Sequence, residues 1–161
     1  GSVAKGKALR RGGAKPGDAL YVSGTLGGSA AGLRTGKGAE WQRHVRPEPR
    51  LALGRYLSGR ASAAMDLSDG LSIDLARMCV ESGVAAVIDR PLPVFPDASL
   101  DEALHGGEDY ELLFAAPEKV RIPAQKDGLP LTRVGTVVKG TAGRVTFFGK
   151  KLEALGYDHF R

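Results

Sequence analysis

The sequence contains a single cysteine, Cys79, among its 161 residues. An internal disulfide is therefore excluded, and a lone thiol inside an apolar stretch fits a reducing, cytoplasmic compartment. Aromatic residues make up only 6% of the chain, and none is interleaved with a basic stripe, which speaks against a nucleic-acid platform. No apolar run approaches the roughly 20 residues of a membrane-spanning helix, and no signal-peptide pattern opens the chain. Histidine is also scarce. His44, His105 and His159 lie too far apart for metal-ligand spacing, and no Ser-His-Asp or Cys-His arrangement can be assembled.

What remains is ordinary for a globular domain: 42% hydrophobic and 25% charged residues. Residues 3–161 are read as one domain, long enough to bury a core. Gly1 and Ser2 look like a remnant of tag cleavage. The net charge is +5, but Lys5, Lys7, Arg10, Arg11, Lys15, Arg34, Lys37, Arg43, Arg46 and Arg50 are dispersed. They read as a solvated surface, or in part as arginines that meet the phosphates of a small ligand.

The hydrophobic pattern predicts strands at 19–23, 61–65, 84–88, 111–115, 132–138 and 144–148, the last paired with its predecessor across a turn at 139–143. Helices are expected from Ser29, after Arg50 with Leu51, Leu53, Tyr56 and Leu57 in spacing, and over 71–81 with Gly83 as the stop. A further helix over 99–104 is expected to open with Ser99 and Glu102 as a capping box. Pro47 and Pro49 predict irregular chain over 35–49. Cys79 is expected to be buried, and Glu111 to alternate out of its strand toward solvent. Strands and helices mixed without strict alternation imply an α+β domain, a mixed β-sheet covered by helices.

Carboxylates and hydroxyls crowd around one glycine in Asp66-Leu67-Ser68-Asp69-Gly70-Leu71-Ser72-Ile73-Asp74, where an apolar run hands over to the best helix. Two aspartates at a strand end suit Mg²⁺, which takes oxygen ligands and commonly keeps phosphate oxygens and water. Helix capping is the competing reading for the same residues. In Gly106-Gly107-Glu108-Asp109-Tyr110-Glu111, paired acids ahead of a strand suggest a ligand donor, or only a turn. Gly24 to Gly28 equally suit a phosphate cradle or a plain strand-to-helix connection. Arg10 and Arg11 stand before a flexible Gly12-Gly13 and could reach a triphosphate, or lie free on the surface.

Several segments, in order from one end to the other, together resemble the thiamine-monophosphate kinase family. They are Ala8 to Asp18, Tyr21 to Gly27, His44-Val45-Arg46-Pro47, Met65 to Leu71, Gly106 to Leu112, and Gly156-Tyr157-Asp158-His159-Phe160. This family sits in a superfamily of ATP-binding enzymes with aminoimidazole ribonucleotide synthetase and selenophosphate synthetase. The resemblance implies a domain like the carboxy-terminal domain of aminoimidazole ribonucleotide synthetase. It also implies transfer of the γ-phosphoryl group of ATP to thiamine monophosphate, with Mg²⁺ and no side-chain nucleophile. On this chain it implies Asp66 and Asp69 as metal ligands, Arg11 and Ser68 as ATP contacts, and Glu108 and Tyr157 as substrate contacts. It further implies an amino-terminal domain as partner, a full-length homodimer, and little activity for this domain alone. Gly28 stands where the family often has an acid, and the stretches 34–41 and just before Gly106 are short for it. A related ATP-dependent synthetase, a binding module without catalysis, and charge-driven nucleic-acid binding are the alternatives.

Overall fold

The computed structural model describes residues 3, 5–6 and 8–156. The first strand, β1 (Asp18–Ser23), runs into two short helices, α1 (Gly28–Thr35) and α2 (Gly38–Val45), and then α3 (Leu51–Leu57). Strand β2 (Ala63–Asp66) leads to the longest helix, α4 (Leu71–Ser82), and β3 (Ala85–Ile88) follows. After α5 (Leu100–His105) come β4 (Leu112–Pro117), β5 (Gln125–Lys126), β6 (Leu129–Val138), β7 (Val145–Phe147) and β8 (Lys150–Leu152). The strands form one mixed sheet in the order β2-β4-β1-β6-β3-β7-β8, with β5 folded back on β6. Among the described strands, only the β3–β7 pair is parallel.

Period-2 alternation sorts the strand residues between two cores. Leu20, Val22, Leu113 and Ala115 turn to one face, under Leu71, Leu75 and Met78 of α4 and Ala103 and Leu104 of α5. Phe114, Ala64 and Leu131 turn to the other, under Leu53 and Leu57 of α3, with Tyr21 packed against them. Tyr21 and Phe114 are register partners on adjacent strands, and their rings stack at 5.2 Å. Each fully buried Leu or Met side chain contributes roughly 1.5–3 kcal/mol. Cys79 lies in the α4 core, and burial pushes its thiol up to about 12.

Local signals were decisive for α4 and α5. Gly83 ends α4 in the left-handed conformation, with its N–H donating back to the Cys79 and Val80 carbonyls. Ser99 and Glu102 form the reciprocal capping box that opens α5. Two expectations are corrected. The stretch 35–49 contains α2, which forms because Gly32 lets α1 approach the α2 backbone closely. A Cβ on Gly32 would lie 2.2 Å from the Glu40 carbonyl oxygen. Strand β7 pairs with β3 and β8, not with β6, since β6 already has β1 on one side and β3 on the other. Among the described residues, no helix is long and apolar enough to cross a membrane.

Candidate functional site

The loop from β2 to α4 and the loop from α5 to β4 meet backbone to backbone. Glu108 N–H donates to the Ser68 carbonyl at 2.7 Å, Tyr110 N–H to Leu67 at 2.9 Å, and Leu67 N–H to Glu111 at 2.8 Å. Gly107 makes this approach possible, because a Cβ there would sit 2.6 Å from the Ser68 oxygen. Glu108 and Tyr110 both adopt left-handed backbone, with φ of 61° and 50°. Side chains therefore alternate: Asp109 and Glu111 turn into the protein, while Glu108 and Tyr110 turn out. The outward residues, with Ser68, Asp69, Ser29, Ala30, Leu33, His44 and Gly107, line a cleft of about 580 Å³.

The inward carboxylates are fully engaged. Asp109 accepts from the Gly27 N–H at 2.6 Å and the Ser29 N–H at 3.1 Å, which caps the start of α1 from a distant loop. Burial pushes its carboxyl above the usual range, against the pull of those N–H groups. Glu111 is fully buried, which corrects its expected place on the surface. Arg50 grips it through Nε at 2.9 Å and Nη2 at 2.7 Å, Arg43 adds Nη2 at 2.9 Å, and the Ser23 hydroxyl donates at 2.5 Å. Burial alone would raise the Glu111 carboxyl, but Arg50, Ser23 and Arg43 outweigh it and hold it below the usual carboxylate range.

At the other wall, the N-terminus of α4 is satisfied from within. Asp74 Oδ2 accepts from the Asp69 and Gly70 N–H groups at 3.0 and 3.2 Å. Gly70 is the N-cap, and it supplies no side chain. Capping therefore explains none of Asp66, Ser68 and Asp69. Asp69 is buried and pairs with Arg77, which also reaches Asp74 Oδ1 at 3.0 Å. Burial raises Asp74, opposed by the Asp69 N–H and by Arg77.

Both helix starts beside the cleft are thus occupied by internal carboxylates. The phosphate-cradle reading of Gly24 to Gly28 gives way accordingly, because a phosphate there would meet Asp109 instead of free N–H groups. Arg43 and Arg50 serve Glu111, and Arg34 pairs with Glu102 at 2.7 Å.

The structure brings Ser68, Asp69 and Glu108 to one cleft. Asp66 is exposed at the end of β2 and is not part of the lining. Arg11 is exposed at the far end of α4, where its carbonyl faces the Ser82 hydroxyl at 3.5 Å. That is the end of α4 opposite to Ser68. Tyr157 lies outside the described residues. His44 has no metal-ligand spacing in the sequence, yet its Nδ1 lies 2.9 Å from the Ser29 hydroxyl and 3.5 Å from Glu108 Oε2. The available signal for Glu111 was an acid directly ahead of an apolar strand in a chain with arginines upstream. Among the described residues, no three His, Cys, Asp or Glu side chains are grouped so as to hold a metal ion.

The family model of the C-terminal domain of AIR synthase related proteins matches residues 15–147. The chain belongs to that family. Thiamine-monophosphate kinase of Escherichia coli K12 is 40% identical over 187 residues, covering 99% of this chain and 58% of the relative. The solved thiamine-monophosphate kinase of Stenotrophomonas maltophilia K279a superposes with a TM-score of 0.83 at 37% identity, over 92% of this chain and 55% of that one. AaThiL, solved in complex with AMPPCP and TMP, gives 0.83 at 36%, over 94% and 54%. The chain therefore spans a little more than half the length of the relatives it matches. Hydrogenase maturation protein HypE shares the fold alone, with a TM-score of 0.70 at 18% identity. For this member of the AIR synthase related family, the expected α+β class holds.

Proposed function

We propose that the chain is the carboxy-terminal domain of a thiamine-monophosphate kinase, and that its cleft receives thiamine monophosphate opposite ATP. The observation that carries this reading is the match of 94% of the chain to AaThiL, which was solved with an ATP analogue and TMP. Ser68 and Glu108, which share the cleft, support it. An amino-terminal domain completes the site, the two-domain protein is a homodimer, and it works in the cytoplasm.

Phosphoryl transfer between phosphates asks a protein for position and charge, with little covalent chemistry. Ser68 offers a hydroxyl to a phosphate oxygen. Glu108, oriented by His44, accepts a hydrogen bond from the heterocycle or faces its positive charge, and Tyr157 adds an aromatic face to the same ligand. Arg11 meets ATP in the assembled protein, at the edge away from the cleft. The oxygen donors Asp66 and Asp69 fit Mg²⁺ in kind, and two carboxylates suffice when phosphate oxygens and waters fill the remaining positions. When bound, the ion would neutralise phosphate charge; Arg77 balances Asp69 otherwise.

The test is calorimetry of thiamine monophosphate on the chain, with and without the amino-terminal domain of the E. coli relative, beside a coupled ADP-release assay. Binding and turnover are expected only with both domains together. Full turnover by the chain alone would overturn the shared-site reading, and absence of thiamine monophosphate binding in the assembled pair would overturn the substrate.

A further inference from the structure

The acidic run Glu108-Asp109-Tyr110-Glu111 invites one reading for all its carboxylates, but the geometry divides them into opposite kinds. We propose that Asp109 and Glu111 are positioning residues that present Glu108 and Tyr110 to the cleft. This rests on the reading above only in taking Glu108 and Tyr110 as the ligand-facing pair.

Left-handed backbone is unfavourable for glutamate and more so for tyrosine, and it persists only where the surroundings enforce it. Here the enforcing groups can be named. Asp109 is drawn inward by the Gly27 and Ser29 N–H groups at the positive end of α1. Glu111 is drawn inward by Arg50, Arg43 and Ser23. With Asp109 and Glu111 held inside, Tyr110 between them turns outward, and Glu108, whose N–H is tied to the Ser68 carbonyl, turns outward ahead of Asp109. Neither inward carboxylate is available to a ligand, because its acceptor oxygens already face these donors.

The contacts also close on themselves. Asp109 holds the Ser29 backbone, the Ser29 hydroxyl meets His44 Nδ1 at 2.9 Å, and His44 stands 3.5 Å from Glu108. Arg43, the chain neighbour of His44, is bound to Glu111. The two buried carboxylates therefore fix α1 and α2 as well as their own loop, and with them the partner of Glu108. A substitution at Asp109 should be felt at Glu108 and His44, on either side of this circuit.

Asp109→Asn keeps the volume but offers an amide N–H where one of the α1 donors needs an acceptor. In the ¹H–¹⁵N NMR spectrum of the whole chain, the Gly27 and Ser29 amides should lie downfield, as charge-assisted donors to a carboxylate do. In Asp109→Asn they should move upfield, together with the Glu108 and Tyr110 amides and the His44 ring, while β6 and β3 stay in place. In the pair assembled with the amino-terminal domain of the E. coli relative, thiamine monophosphate binding should weaken by roughly tenfold or more, the loss expected from a site held about an ångström out of place. Glu108→Gln should weaken binding without moving Gly27 or Ser29. Unchanged Glu108, Tyr110 and His44 resonances in a folded Asp109→Asn would overturn the proposal. If the assembled pair with native chain binds no thiamine monophosphate, the substrate reading fails while these resonances still decide the positioning. If Asp109→Asn does not fold, Glu111→Gln is read by the same resonances, with movement at Tyr110 and His44 supporting the proposal and stillness refuting it.

Discussion

Replacing Glu111 with alanine should be among the most damaging single changes in this domain, although it removes a polar residue. Glu111 is completely buried, and the Arg50 side chain that grips it is only 10% exposed. The substitution deletes the acceptor for two Arg50 nitrogens, one Arg43 nitrogen and the Ser23 hydroxyl. Arg43, at 25% exposure, can turn partly to water, and Arg50 retains only Glu48 at 2.8 Å. Breaking one side of a buried ion pair costs about 3–5 kcal/mol, since the partner charge is left desolvated. For a domain of this size that lowers the melting temperature by roughly 6–20 °C. Glu111→Gln, which keeps one acceptor oxygen, should cost about 1–3 kcal/mol. The pair Glu111→Leu with Arg50→Met should recover much of the loss, because apolar groups of similar volume remove both desolvated charges. The acid limb follows with a definite sign. The folded pKa of Glu111 lies below its unfolded value, so its contribution is complete above the ordinary glutamate value of about 4.3 and is lost as pH falls through the folded value. Asp74 and Asp109 are raised instead; their contribution is present below the unfolded value and lost as pH rises through the folded one. They therefore do not add to the acid sensitivity. Thermal unfolding by circular dichroism at pH 7 and pH 3 reads all of this. A drop of less than about 2 °C for Glu111→Ala at pH 7 would refute the assignment of Glu111 as a buried ionic anchor.

Gly107→Ala places a Cβ 2.6 Å from the Ser68 carbonyl oxygen and should cost about 1–3 kcal/mol in urea unfolding as the two loops separate; an unchanged midpoint would mean that the loops give way freely. Ser99→Ala removes one half of the α5 capping box and should cost about 1 kcal/mol by the same measurement. The Cys79 thiol, pushed up to about 12 by burial, should resist a thiol reagent at pH 8 in the native protein and react at the normal rate in denaturant. Rapid native labelling would show that the α4 core opens.

Elements whose cause is local were legible in the chain. The α4 periodicity, its Gly83 stop and the Ser99/Glu102 box need only neighbours within a turn or two, so sequence order carries them. The strands β1, β2, β3, β4 and β6 were likewise marked by apolar runs, and the α+β class followed. Helix α2 was hidden because its reason lies in another element: Gly32 admits its backbone, and neither proline pattern nor propensity reports that approach. The partner of β7 was hidden for a topological reason, since a hairpin with β6 is barred only once β1 and β3 flank it.

The candidate site divides the same way. Residue type and spacing marked Asp66, Ser68, Asp69 and Glu108 as candidates, with helix capping and a plain turn as the rival readings. The meeting of Ser68, Asp69 and Glu108 depends on Glu108 N–H reaching Ser68 across the α4–α5 layer, a contact between distant segments. Alternation placed Glu111 outside because it assumes extended backbone, whereas φ turns positive at Glu108 and Tyr110 just before β4 begins. The sequence by itself determined most of the regular elements and the gathering of acids and hydroxyls in two loops, because those depend on side-chain type and local periodicity. Only the tertiary structure decided which acids face the cleft and which face arginines or helix N–H groups, because that depends on the charges and donors that folding sets beside each one.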